Sequence, residues 1–463
     1  MRTAYSVETV RGAERELMAR LPEGALMRRA AAGLAAVCAG LLRRVYGSRV
    51  VLLVGPGDNG GDALYAGARL ARRGAGVTAV PMDPERMHTG GLAALRAAGG
   101  RVAESVPARA DLVLDGLVGI GGRGGLRPAA AALVERIPAG AVVVAVDLPS
   151  GVDADSGEVA GAAVTADVTV TFGAYKPGLL IDPGASRAGA VRLVDIGLEL
   201  PSPPAVEALQ HADVAELLPV PTASSDKYRR GVVGIVAGSS QYPGAAVLAV
   251  AGALRGGAGA VRYVGPAADA VLARFPETLI GRGRVQAWVV GPGLGEGRAG
   301  EVTDALADSV PVLVDADGLR GLDPGVLRAR TAPTLLTPHA GEAAALLGAP
   351  RESVEAGRLA AARDLAGRYG AAVLLKGSTT LVASGGSPVR VNPTGTPWLA
   401  TAGSGDVLSG LAGSLLAGGL SAVDAGSVAA YLHGLAGRLR GGPLPAQDVA
   451  EALPEAWRNV RRP

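Results

Sequence analysis

Short apolar runs rich in Val, Ile and Leu alternate along this chain with longer stretches in which Ala and Leu recur at helical spacing. The runs lie at 49–55 ("RVVLLVG"), 76–83, 110–116, 141–151, 167–174 and 190–197, and resume at 231–238, 286–293, 311–318, 333–339 and 371–383. Most are continuously apolar, the mark of strands buried on both faces, so the pattern predicts parallel sheets covered by helices on each side. Residues 1–45 read as helical, with Leu17, Met18, Leu21 and Leu26 supplying apolar positions. Between the two series, "LELPSPPAVEAL" (198–209) brings three prolines and breaks the rhythm. A chain of 463 residues is long for one core. The expected fold class is α/β in two successive domains, 1–210 and 211–463, with the boundary falling between 200 and 220.

Composition narrows the picture. Hydrophobic residues make up 49% and charged residues 19%, which excludes a disordered chain. The net charge of +3 is nearly balanced, and no basic run is interleaved with aromatics, so no nucleic-acid partner is expected. The run "AAAGLAAVCAGLL" (30–42) is too short to span a bilayer and starts too far in for an ordinary signal. It reads as a buried helix, and no membrane association is expected. Cys38 is the sole cysteine, so no internal disulfide forms, in keeping with a reducing, cytoplasmic setting. Lysine occurs only at Lys176, Lys227 and Lys376. A chain that otherwise uses arginine keeps lysine where a compact ammonium is wanted, or by chance.

The first candidate site begins at "GPGDNGGDALYAGARL" (55–70), an apolar run followed by a glycine loop and a helical stretch. Gly55, Gly57 and Gly60 have the G-x-G-x-x-G spacing that lets backbone N–H groups approach a pyrophosphate. Asp83, at the end of the next strand, stands where an ordinary dinucleotide fold carries its ribose-binding acid. Two more strand ends add chemistry: Asp115 before a second glycine loop (119–125), and Asp147 with Ser150 in "VDLPSGVDADSG". Asn59, Asp115 and Ser150 form a candidate set of hard oxygen ligands, suited to an alkali or alkaline-earth cation rather than zinc. Capping of strand-end turns is the plainer reading of Asp115 and Asp147 taken singly.

Together with "DGLVGIGG" and "TFGAYKPGLL", these motifs resemble the NAD(P)H-hydrate epimerase domain over roughly residues 5–200. The resemblance implies a Rossmann-like three-layer fold and a first loop, Asp58, Asn59, Gly60, Gly61 and Asp62, that holds a hydrated nicotinamide dinucleotide. It implies a second loop of Gly119, Ile120, Gly121, Gly122, Arg123, Gly124 and Gly125. Asp147 is then the substrate-contacting acid/base, and Asn59, Asp115 and Ser150 bind potassium. One position departs: Asp58 stands where the family usually has Asn. A carboxylate there repels a pyrophosphate unless it points away or faces the cation.

The second candidate site centres on "WLATAGSGDVLSGLAGSLLAGG" (398–419), where Gly405 and Asp406 open a small-residue helix. Amides at such a helix start can form an anion hole for a transferring phosphoryl group, with Asp406 placed to accept a proton. As a bare motif it is weak, since Asp is also a common helix cap. No G-x-x-x-x-G-K-[ST] occurs, which excludes a P-loop. Lys376, Gly377, Ser378, Thr379 and Thr380 offer contacts for phosphate or ribose, and "LLTPHAGE" places His339 and Glu342 at a strand end. "VVGPGLG" (289–295) adds a glycine loop and "VDADGL" (314–319) a strand-end acid pair.

With "KYRRGVVGIVAGSSQYPGAAVLAVAGALRGGAGAV" (227–261), residues 215–455 closely resemble the NAD(P)H-hydrate dehydratase domain, which has a ribokinase-like three-layer fold. The resemblance implies substrate contacts at Ala245, Gly293, His339 and Asp406. It implies nucleotide contacts at Lys376 to Thr380 and at Gly405. Asp406 would be the base, ADP the co-substrate, and magnesium the ion bridging its phosphates. The implied activity is metabolite repair. The first domain interconverts R and S epimers of the hydrates NADHX and NADPHX at C6, and the second phosphorylates the C6 hydroxyl of the S form and eliminates phosphate. A homo-oligomer is the expected assembly. Two rivals stay open at this point: a vitamin-precursor kinase fused to a nucleotide-binding module, and a non-catalytic nicotinamide-nucleotide sensor. An NAD-dependent dehydrogenase ranks below both.

Overall fold

The computed structural model describes residues 1–461, which divide into two compact units, Thr3–Ala205 and the residues from Val206 onward with Met1–Arg2. Each unit has its own sheet and core. In the N-terminal unit the strands are β1 (Arg49–Val54), β2 (Gly76–Pro81), β3 (Arg101–Val102), β4 (Leu112–Gly116), β5 (Val142–Val146), β6 (Val168–Phe172) and β7 (Ala190–Val194). They lie side by side in the order β3-β2-β1-β4-β5-β6-β7, all parallel. This is the doubly wound order. The strand sequence reverses between β1 and β4, and ligands of such sheets bind outside the carboxyl ends at that reversal. The loops after β1 and β4 are the two glycine loops.

Continuous burial of β1, β4 and β6 explains the uninterrupted apolar runs. One face packs under the helices Ala25–Leu41 and Asp58–Arg72. The first of these carries the run expected to be a buried helix, and it buries Ala30, Ala31, Leu34, Ala35 and Cys38. Burial pushes the Cys38 thiol up to about 12, which leaves it protonated and inert. Residues 1–45 are not one helix: Val7–Met18 and Ala25–Leu41 are separated by a turn around Pro22, with Gly24 in the left-handed region (φ 68°).

The C-terminal unit contains β8 (Val206–Ala208), β9 (Val232–Val236), β10 (Ala260–Val264), β11 (Leu279–Ile280), β12 (Ala287–Val290), β13 (Val312–Val314), β14 (Thr334–Leu336), β15 (Ala372–Leu375), β16 (Thr380–Ala383) and β17 (Val389–Asn392). Their order is β8-β17-β16-β15-β14-β13-β12-β9-β10-β11. From β11 to β15 the pairing is parallel, and β15-β16-β17 is an antiparallel meander. The stretch 371–383, written in the sequence as one strand, is therefore a hairpin turning at Lys376–Thr379. Here the strand order reverses between β9 and β12, beside the first turn of the helix Pro243–Arg255, which carries Ala245, and the loop that holds Gly293. Two helices cross over this sheet at very short range. A Cβ on Gly410 would overlap the Ala249 carbonyl and one on Gly252 the Val407 carbonyl, so Ser404–Ala417 and Pro243–Arg255 touch backbone to backbone. Among the described residues no helix is long and apolar enough to cross a membrane.

Candidate active sites

At the N-terminal switch point Asp115 is fully buried at the end of β4. Its Oδ1 accepts from Ser150 Oγ at 2.6 Å and from the Leu117 amide at 3.3 Å, and its Oδ2 accepts from the Ser150 amide at 2.8 Å. These donors are all neutral. Burial consequently outweighs them and raises the carboxyl to about 6. Asn59 is buried beside Gly119, where an added Cβ would sit 3.3 Å from the Asn59 Cβ, and its Nδ2 has no hydrogen-bond partner. The structure thus brings together two of the three residues expected to bind a cation, and sets the third against the loop that follows them. Asp115 also serves as a turn cap through the Leu117 amide. The plainer reading of Asp115 as a turn cap is thus present in the structure.

Asp147 follows β5 with φ of 65°, a left-handed conformation that costs a residue with a Cβ about 1–2 kcal/mol. The site holds it there. Its Oδ1 accepts from Lys176 Nζ at 2.5 Å, Thr171 Oγ1 at 2.9 Å and the Phe172 amide at 3.1 Å. Lys176 is 1% exposed and also donates to the Phe172 carbonyl at 3.1 Å. Asp62, the fifth residue of the helix Asp58–Arg72, is buried with Oδ1 unpartnered. Its carboxyl is held well above the usual range by burial first, then by Asp147, Asp58 and Glu14. Glu14, on the helix Val7–Met18, is raised by burial, opposed by Lys176 and reinforced by Asp147 and Asp58. Glu14 and Lys176 were absent from the sequence-derived site; only the scarcity of lysine hinted at one of them. Asp58 is exposed at the first helical position, where a carboxylate suits the helix dipole. In the second loop, Gly121 lies under the Arg11 guanidinium and Gly125 against Gly161. Asp83 follows β2. It caps the short turn Pro84–Arg86 through the Glu85 amide at 3.2 Å.

In the C-terminal unit Asp406 is the third residue of the helix Ser404–Ala417, whose N-cap is Gly403 in the left-handed region (φ 87°). Asp406 is therefore not a cap. Its carboxyl is raised to about 7 by burial, then by Asp315, with Lys376 opposing. Lys376 Nζ donates to Asp315 Oδ1 at 2.7 Å, lies 3.8 Å from Glu342 Oε2, and stands 3.6 Å from where a Gly405 Cβ would be. Burial disfavours this ammonium, but Asp315, Glu342 and Asp406 more than compensate, and it stays charged. Asp315, at the end of β13, accepts from Ser409 Oγ at 2.7 Å through its other oxygen. The site is thus an acid–lysine–acid chain laid across a helix N-terminus.

The remaining expected residues surround it. His339 caps the helix Ala340–Leu347: its Nδ1 accepts from the Glu342 amide at 3.1 Å, while Glu342 Oε2 accepts from the His339 amide at 2.7 Å. The side chain is 59% exposed, and its Nε2 lies 3.4 Å from Glu342 Oε1. Gly293, at φ 62°, packs on Ala245, where an added Cβ would come within 2.6 Å of the Ala245 methyl. Of the nucleotide loop, Thr380 Oγ1 turns inward to the Gly377 carbonyl at 3.3 Å. His433 is buried beneath the helix start, its Nε2 2.9 Å from the Ser404 carbonyl. Burial lowers it to about 4, so the neutral ring donates from Nε2. A cavity of about 350 Å³ lies to one side, bounded by Gly295, Arg298, Val302, Asp317 and Val326. It meets the catalytic cluster only at Asp317, whose Oδ2 accepts from the Gly295 amide at 3.0 Å. The residues expected to carry the chemistry lie at the strand ends, beside this cavity and not in it.

Comparison with known proteins agrees with both halves. The family described as NAD(P)H-hydrate dehydratase matches residues 233–442, and the family described as YjeF-related protein N-terminus matches residues 23–178. The bifunctional NAD(P)H-hydrate repair enzyme of Mycobacterium leprae is 49% identical over 478 aligned residues, covering 100% of this chain and 99% of that protein. A crystal structure of the ADP/ATP-dependent NAD(P)H-hydrate dehydratase from Bacillus subtilis, co-crystallised with ATP and Mg2+, is 29% identical with a TM-score of 0.51, covering 54% of this chain and 97% of that one. A ribokinase-like superfamily protein from Enterococcus faecalis, 22% identical with a TM-score of 0.50, covers 57% of this chain and 100% of its own and attests the fold alone. Likeness along the whole length, with both families in order, leads to one conclusion: the chain belongs to the bifunctional NAD(P)H-hydrate repair enzymes, an epimerase unit followed by an ADP/ATP-dependent dehydratase unit.

Proposed function

We propose that residues 211–463 bind S-NAD(P)HX and ADP with Asp406 as the base, and that residues 1–210 epimerise the R form through Asp147. The observation that carries the reading is the Asp315–Lys376–Asp406 cluster over the start of the helix Ser404–Ala417. Asp406 takes the proton of the C6 hydroxyl as that oxygen attacks the terminal phosphorus of ADP, releasing AMP. Lys376 and the helix-start amides stabilise charge on the transferring phosphoryl oxygens. Phosphate then leaves with the C6–O bond, a proton leaves C5, and the 5,6 double bond of the reduced nicotinamide is restored. Ala245 and Gly293 place the substrate ring, and His339 contributes its exposed side chain. Gly377, Ser378, Thr379, Thr380 and Gly405 hold the nucleotide.

No three His, Cys, Asp or Glu side chains among the described residues converge as a metal cage. That suits magnesium, which is commonly bound through one or two carboxylates together with substrate phosphates and here would neutralise phosphate charge. In the epimerase unit Asn59, Asp115 and Ser150 would hold potassium. A fully buried carboxylate with only neutral donors fits a cation, which would fix the loops against the pyrophosphate. The loop Asp58–Asp62 and the loop Gly119–Gly125 receive the dinucleotide there, and Asp147 moves the proton at the C6 hydroxyl as the carbinolamine opens and recloses.

The test is the gain of near-ultraviolet absorbance by reduced nicotinamide when the protein meets mixed R- and S-NADHX with ADP or ATP. Complete conversion with wild type and none with Asp406→Asn supports the assignment. An Asp406→Asn protein that retains more than about one hundredth of the rate removes Asp406 as the base. Because a base must be ionised, kcat/KM rises with pH up to about 7 and levels above it.

A further inference from the structure

Arg358 opens the helix Arg358–Tyr369 and is 6% exposed. Its Nη2 donates to the carbonyls of Leu375 at 3.3 Å, Lys376 at 3.1 Å and Thr379 at 3.1 Å, the residues that enter and leave the hairpin turn between β15 and β16. The turn closes onto the guanidinium so tightly that a Cβ at Gly377 would overlap Nη2. Thr380 Oγ1 donates to the Gly377 carbonyl at 3.3 Å, tying it back to the hairpin. In a trans peptide the N–H of one residue points opposite to the carbonyl before it. Turning the Lys376 and Gly377 carbonyls inward therefore turns the Gly377 and Ser378 amides outward, a concave pair of donors of the kind that binds anions. The same clamp fixes the chain on which Lys376 extends to Asp315.

We infer that Arg358 is the positioning residue of the nucleotide-phosphate loop, holding the amides of Gly377 and Ser378 toward a bound nucleoside diphosphate without touching it. This rests on the dehydratase reading of the C-terminal unit. Arginine suits the task because one planar fork can serve several carbonyls, whereas an ammonium on a flexible stem does not hold that geometry.

The experiment measures KM for ADP and KM for S-NADHX separately in the full chain, for wild type, Arg358→Lys, Arg358→Gln and Gly377→Ala. Loss of charge-assisted hydrogen bonds to the loop is expected to raise KM for ADP by roughly 10- to 100-fold in Arg358→Gln, less in Arg358→Lys, with KM for S-NADHX within about twofold of wild type. Gly377→Ala, which pushes on the guanidinium, shifts KM for ADP in the same sense. Combining it with Arg358→Gln adds little, since both break one contact. Added guanidinium salt restores part of the ADP affinity of Arg358→Gln at concentrations that leave wild type unchanged. Unaltered KM for ADP, equal rises for both substrates, or full additivity with Gly377→Ala overturns the inference. If Arg358→Gln does not fold, the Arg358→Lys and Gly377→Ala proteins decide by the same ratio. Wild-type protein inactive with ADP and with ATP would instead defeat the dehydratase reading on which this rests.

Discussion

Lys176 and Lys376 each hold an ammonium among carboxylates: Lys176 pairs with Asp147, and Lys376 pairs with Asp315 and favours the charged form of Asp406. Replacing Lys176 by Met would strand Asp147 as a buried charge in a conformation it adopts only under duress. We expect the epimerase to be lost and the N-terminal unit to be destabilised by about 3–5 kcal/mol, read from thermal unfolding. Arg at that position is too large for the pocket and should not rescue. Asp406 predicts an opposite effect. Its folded carboxyl titrates near 7, above its unfolded value of 3.8, so the apo protein loses stability as pH rises through that window. Asp406→Asn should therefore unfold at a higher temperature than wild type at pH 8, by about 1–3 kcal/mol after solvent screening, even as it abolishes activity. His433 titrates the other way. Depressed from 6.5 to about 4, it contributes stability that is complete above 6.5 and is lost as pH falls toward 4, on the order of 3 kcal/mol. A His433→Gln variant should show a flatter acid limb in a pH-dependent melt. Of these residues Asp147 and Asp406 could be singled out in the sequence, not as lone carboxylates, which often cap turns and helices, but because each stands among several glycine loops and strand-end motifs. Glu14, Arg358 and His433 were not. They lie on helices distant in sequence, and nothing local marks a side chain whose role is to face another element.

At the scale of elements, hydrophobic patterning located the long strands because doubly covered strands leave no polar interruptions. It missed β10, whose alternate positions are only partly buried, and the edge strands β8 and β11, which are too short to form a run. It joined β15 to β16 because the turn between them, Lys376–Thr379, is only four residues long and links two fully buried strands. The glycine loops were legible as loops, but their tightness was not. A Cβ on Gly55 would overlap the Leu117 carbonyl across the switch point. Gly55→Ala should cost the N-terminal unit about 1–3 kcal/mol and displace the second glycine loop. A lower melting temperature together with loss of epimerase alone would show this, and unchanged epimerase activity would contradict it.

For the whole molecule, two sheets with two cores mean that each activity can be removed without the other. Lys176→Met protein should still convert the S epimer at the wild-type rate with ADP, while Asp406→Asn protein should still interconvert R and S. Mixed in one tube, the two variants should together convert both epimers completely, as followed by nicotinamide absorbance; failure to complement would mean that the units depend on one another. A separate consequence follows from where the chain keeps its few lysines. Lys176 and Lys376 are enclosed and ion-paired, and Lys227 is exposed. Amine-directed acylation of lysine, whether by a dye ester in the laboratory or by acetyl phosphate and reducing sugars in a cell, therefore has Lys227 as its open target. The protein should carry such adducts while both active sites stay chemically untouched.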